Sequence, residues 1–84
     1  MNKSSINMAE AGRILRHLRG IMTRTGVARE LGISYSALAF YESGQRTPSG
    51  RVMKLLADFY HVRVEDIFLP ISTTTSSKKL KKES

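Results

Sequence analysis

Gly32-Ile33-Ser34-Tyr35-Ser36-Ala37-Leu38-Ala39-Phe40-Tyr41-Glu42-Ser43-Gly44 is the stretch whose reading decides the fold. Gly32 can adopt the left-handed conformation that ends a helix without a Cβ penalty. Ser34 can cap the next helix by accepting a hydrogen bond from an N–H of its first turn. Gly44 offers a second stop. The stretch therefore reads as a helix end, a helix start and a short helix, Tyr35 to Ser43, that ends again. Helical spacing turns Leu38 and Tyr41 inward, with Ala37 partly buried, and leaves Tyr35, Ser36, Ala39 and Phe40 off the core face.

On the N-terminal side, Asn7 with Glu10 three residues on resembles a capping box. Ala11, Ile14, Leu15, Leu18 and Met22 then recur at helical spacing, which predicts a first helix over about residues 8–19, ended by Gly20. Thr23 is a plausible cap for a second helix running to Leu31, with Val27, Ala28 and Leu31 inward. Gly26 inside it costs about 0.8–1.0 kcal/mol relative to Ala, so packing must hold that helix. On the C-terminal side, either Thr47 with Pro48 at the first helical position or Ser49 caps a fourth helix. Val52, Leu55, Leu56 and Phe59 are its apolar stripe. A short fifth helix, Val64 to Phe68, follows a break at 61–63, and Pro70 closes the domain.

The 84 residues amount to one domain with a small core. They carry 14 Lys and Arg against 7 Asp and Glu. Eight basic and three acidic residues lie in 1–51, two and three in 52–77, and four and one in 78–84. The basic excess of the folded part thus sits in the half that contains the opening stretch, which favours a polyanion as partner, nucleic acid first. With no cysteine, disulfides and thiolate metal sites are excluded. No long apolar run suggests a signal peptide or a membrane span, so we expect a cytoplasmic protein. Residues 1–7 read as a flexible N-terminus, 8–71 as the domain, and 72–84 as a disordered basic tail, because Ser, Thr and Lys there cannot bury enough apolar surface to order the chain.

Two short helices joined by a tight turn have the geometry of a helix-turn-helix. Thr23 to Pro48 resembles the Cro/repressor-type, or XRE, family of phage repressors and small bacterial regulators. The matching residues are Thr23-Arg24, Val27-Ala28, Leu31-Gly32-Ile33-Ser34, Leu38, Tyr41-Glu42, Gly44 and Pro48, extended by Leu55-Leu56-Ala57 and Glu65-Asp66-Ile67-Phe68. Tyr35 to Pro48 is also similar to short immunity repressors of temperate phages. The resemblance covers about residues 8–69. It implies an all-α, compact five-helix bundle of the lambda-repressor-like DNA-binding type. It also implies a homodimer on a palindromic operator in double-stranded DNA, with helix 3 in the major groove.

By position in that family, Tyr35, Ser36 and Phe40 stand where members present base-reading side chains, with Ala39 beside them. Tyr35 could meet a base, a phosphate or only solvent. Phe40 could touch thymine methyls in the groove or pack against helix 2 or the loop that follows helix 3. Arg24 and Arg46 flank the motif as candidate phosphate contacts, with Thr23, Ser34, Ser43 and Gln45 as weaker ones; Arg29 is a solvated charge or a distal contact. Arg24 stands where a Gln that supports the first base contact is common, and is expected to support it less well. Specificity should then rest on methyl contacts and DNA shape more than on bidentate hydrogen bonds.

Glu42 is an acid in the basic half. One residue more than the usual pattern between Gly20 and Thr23 leaves Arg16 or His17 in the place of the helix 1 arginine that pairs with it; we expect the pair Arg16–Glu42. Ile67, Phe68, Leu69 and Ile71 exceed what so small a core should absorb and are the expected dimer interface. No catalytic, metal-binding or cofactor-binding constellation stands out, since His17 and His61 are isolated and no phosphate-cradling loop is present. Neither an enzyme activity nor a small-molecule ligand is therefore expected. Lys78-Lys79-Leu80-Lys81-Lys82 reads as a solubilising tail, a non-specific DNA arm or a membrane-surface patch. The competing functions are an antitoxin or restriction-modification controller that also answers to a protein partner, an adaptor using the bundle without DNA, and an RNA- or membrane-binding basic protein.

Overall fold

The computed structural model describes residues 6–68 as five α-helices. α1 spans Met8–Arg19, α2 Arg24–Leu31, α3 Tyr35–Ser43, α4 Gly50–Tyr60 and α5 Val64–Ile67. Their ends are set by local hydrogen bonds. Asn7 Oδ1 accepts from the Glu10 N–H at 3.1 Å, Thr23 Oγ1 from Gly26 at 3.0 Å and Ser34 Oγ from Ala37 at 2.9 Å. Each cap relieves one of the orphan donors of a first turn. Ser49, not Thr47, caps α4, its Oγ accepting from Val52 at 3.3 Å, and Pro48 is buried just before it. Gly32 and Gly44 are both left-handed, at φ 71° and 80°. His61 closes α4 in the same conformation at φ 60°.

α1 crosses α3 at close range because Gly12 has no side chain. A Cβ there would lie 2.9 Å from the Tyr41 carbonyl oxygen and closer still to that of Glu42. Gly44 meets the start of the same helix, where a Cβ would sit 3.2 Å from Ala9 Cα. The two helices thus run past each other in opposite senses, Met8 and Ala9 beside Gly44 and Gly12 beside Glu42.

The core beneath them comprises Met8, Ala11 and Leu15 from α1, Val27 and Ala28 from α2, and Leu38 and Tyr41 from α3, closed by Leu56 and Ala57 from α4. Three expectations change here. Met22 does not extend the α1 stripe: it is 41% exposed, in a turn whose Ile21 is fully exposed. α4 turns Leu56 and Ala57 to the centre, with Val52, Met53, Phe59 and Tyr60 around them, so the buried face is rotated from the expected stripe and Leu55 is only half-buried.

Ile67 and Phe68 are buried in the chain's own core, so the expected dimer interface through these two residues is not available. The physical reason is volume. α5 packs against α1 and α4, whose buried Ala11 and Ala57 contribute little side-chain volume, so Ile67 and Phe68 complete a small core rather than lie on its surface. Leu69, Pro70, Ile71 and the Lys-rich tail lie outside the described residues. None of the described helices is long and apolar enough to cross a membrane.

Candidate nucleic-acid interface

At about 100° per residue, the α3 sequence divides into two arcs. Ala37, Tyr41, Leu38 and Glu42 fall in one arc and are buried or half-buried; Tyr35, Ala39, Ser43, Ser36 and Phe40 fall in the other. On that outer arc Tyr35 is 50% and Phe40 38% exposed, Ser36 and Ser43 are exposed, and Ala39 is half-buried. Thr23, Ser34, Gln45 and Arg46 are exposed beside it. The Thr23 and Ser34 oxygens act as caps, which leaves each hydroxyl hydrogen free to be donated outward.

Glu42 is 1% exposed and is the buried charge of the domain. Its carboxylate is met by Arg19, with Nε to Oε2 at 2.8 Å and Nη2 to Oε1 at 3.1 Å, and by Arg24, with Nε to Oε1 at 2.8 Å. Arg16 bonds the Glu42 backbone carbonyl instead. The expected Arg16–Glu42 ion pair is thus corrected to Arg19 and Arg24, with Arg16 closing an otherwise orphaned carbonyl at the end of α3.

Helix geometry explains the division. Backbone carbonyls point toward a helix's C-terminus, while Cα–Cβ bonds tilt toward its N-terminus. Against an oppositely running α1, the Glu42 carbonyl therefore faces Arg16, and the Glu42 side chain points back toward the later residue Arg19 and the start of α2. Arg19 was legible only as one of several polar positions on α1. Its role depends on the crossing that Gly12 permits.

Arg24 does more than neutralise Glu42. Its Nη1 donates to the Tyr35 hydroxyl at 3.2 Å, and its guanidinium carbon lies 5.9 Å from the Tyr35 ring centroid. The Glu42 carboxylate first, and the Tyr35 hydroxyl second, hold the Arg24 guanidinium above its ordinary pKa. An arginine here thus takes up the supporting contact that it was expected to make poorly. At the other end of the arc, the Arg46 guanidinium carbon lies 5.1 Å from the Phe40 ring centroid. Phe40 is not one of the buried core residues.

Behind this surface the Tyr60 hydroxyl is buried with no hydrogen-bond partner. Burial, then the nearby Glu42 charge, push its pKa up to about 12, with Arg19 opposing. Among the described residues, no group of three or more His, Asp or Glu side chains could hold a metal ion.

A capped short helix, exposed along one arc, braced by the helix before it and flanked by arginines, defines a small helix-turn-helix DNA-binding protein. The chain belongs to the Cro/repressor-type, or XRE, helix-turn-helix family of transcription regulators: the helix-turn-helix family HTH_3 matches residues 15–67. It is 32% identical over 57 residues to an uncharacterised HTH-type transcriptional regulator of Methanocaldococcus jannaschii, covering 66% of this chain and 86% of the relative. Its fold is similar to the crystal structure of the restriction-modification controller protein C.AhdI from Aeromonas hydrophila. That likeness has a TM-score of 0.66 and 25% identity over 73% of this chain and 96% of the controller.

Proposed function

We propose that this protein is a cytoplasmic transcriptional repressor that binds a palindromic operator as a homodimer and blocks polymerase sterically. The observation that carries the reading is the state of Glu42. It is the one acid of α3, and it is buried and matched by two guanidinium groups. The exposed arc of α3 therefore presents no negative charge to a phosphate backbone.

In this reading Tyr35, Ser36, Ala39 and Phe40 face the base edges, and α2 crosses the backbone. Arg24 and Arg46, helped by Thr23, Ser34, Ser43 and Gln45, hold phosphates and fix the register without reading sequence. The two half-sites lie about one helical turn apart, roughly 34–36 Å. Because Ile67 and Phe68 are interior, the two copies meet on a surface that excludes these side chains.

A second reading is a controller of a restriction-modification system, which the likeness to C.AhdI favours. It uses the same DNA surface and adds a protein partner.

Selection of bound sites from random duplex DNA, repeated at two salt concentrations, tests the proposal. A dimeric repressor enriches paired half-sites, and log K falls with log[salt] by about 0.9 per phosphate neutralised. Enrichment of no sequence, or a monomer by sedimentation at micromolar concentration on the enriched site, overturns it.

A further inference from the structure

Phe40 and Arg46 form one local unit. The Phe40 carbonyl accepts from the N–H of Gln45 at 2.9 Å, the N–H of Arg46 at 3.3 Å and the Ser43 hydroxyl at 3.2 Å. Gly44, left-handed at φ 80°, turns the chain so that these donors converge. The same turn returns the Arg46 guanidinium over the Phe40 ring. A partly exposed aromatic ring is thereby held beside a cation. The Arg46 guanidinium makes no ion pair with another described residue, so its charge stays available to the partner.

We propose that the Phe40–Arg46 unit is a reading site for the C5-methyl group of a pyrimidine in the major groove, so that DNA binding responds to cytosine C5 methylation as well as to thymine. The inference rests on α3 lying in the major groove. Thymine and 5-methylcytosine carry the same methyl at the same groove position, and uracil and cytosine lack it. Phe40 has no hydrogen-bonding group with which to tell the two bases apart, and its apolar surface gains only by covering the methyl. A ring already pinned by Arg46 loses little rotamer freedom on contact, so the gain is not offset by ordering. Covering one methyl corresponds to about a fourfold gain in affinity, and about sixteenfold if both half-sites of a dimer use it.

Three random-sequence duplex pools test this: one of the four standard nucleotides, one with deoxyuridine replacing thymidine, and one with 5-methyldeoxycytidine replacing deoxycytidine. The standard pool should enrich thymine at one position per half-site, and the methylcytosine pool should enrich 5-methylcytosine at that same position. Remaking the selected site with uracil there should weaken binding about fourfold. Phe40→Ala should bring that ratio to about one, and Arg46→Ala should place it between. Phe40→Leu, which keeps an apolar side chain, should retain part of it. Circular dichroism confirms that each variant is folded.

A wild-type ratio of one at every thymine overturns the site. A ratio that survives in Phe40→Ala overturns its assignment to this ring. A thymine effect without any 5-methylcytosine enrichment overturns the methylation response. Selection of no sequence from any pool overturns the DNA reading itself, and is distinguishable because no ratio is then measured.

Discussion

Arg24 Nε on α2 lies 2.8 Å from Glu42 Oε1 on α3, while the same guanidinium reaches the hydroxyl of Tyr35 at the other end of α3. One side chain thus ties the two helices of the motif together at the end where Tyr35 projects. The rigid planar fork serves the two acceptors through separate nitrogens and so fixes both in one geometry.

Replacing Arg24 by Lys keeps the charge and loses the fork. An ammonium can satisfy Glu42 or Tyr35 but not hold both in fixed geometry. We expect affinity for a selected site to fall about tenfold, with a smaller loss on random duplex, because the positive charge remains to meet phosphate. Titrations of both duplexes at one salt concentration check this; equal losses on the two would show that Arg24 acts on phosphate alone.

Glu42→Gln leaves two guanidinium groups beside a neutral amide in a buried setting. Breaking a buried ion pair from one side costs about 3–5 kcal/mol. Arg19 and Arg24 are both partly exposed and can relax toward water, so the low end, about 3 kcal/mol, is expected. Urea unfolding measures it. Arg16→Met should cost less, about 1–2 kcal/mol, since it frees one carbonyl rather than a charge.

Tyr60 supplies a pH prediction. Its folded pKa, pushed up to about 12, lies above the ordinary value of 10.0. The folded state therefore holds this proton more tightly than the unfolded one. That contribution to stability is complete below pH 10.0 and is lost as pH rises toward about 12. Tyr60→Phe should remove this part of the alkaline loss. It should also stabilise the domain at neutral pH by about 1 kcal/mol, because the buried hydroxyl has no partner. Denaturation of wild type and variant across that range separates Tyr60 from the other titrating groups.

Two glycines should respond with opposite signs. Gly12→Ala drives a methyl into the backbone of Tyr41 and Glu42, which cannot swing aside, and is expected to cost about 3 kcal/mol. Gly50→Ala, at the first turn of α4 with nothing within 4 Å of the new Cβ, should stabilise by about 0.5 kcal/mol. Thermal melts suffice, at roughly 4–8 °C per kcal/mol for a domain of this size.

The sequence by itself determined where the first three helices begin and end. Asn7, Thr23 and Ser34 cap, and Gly20, Gly32 and Gly44 stop, through hydrogen bonds and backbone angles confined to a few neighbouring residues. It also determined which arc of α3 faces outward, because 3.6 residues per turn sort the side chains of a single helix before any packing occurs.

Tertiary structure alone decided the rest. Glu42 is 23 residues from Arg19 and 18 from Arg24, so its partners depended on how far Gly12 lets α1 slide against α3. Ile67 and Phe68 went inside because α5 folds back against α1 and α4, a packing that no one helix reveals. Periodicity is a property of one element. The choice among three arginines, and the size of the space to be filled, belong to the junction between elements.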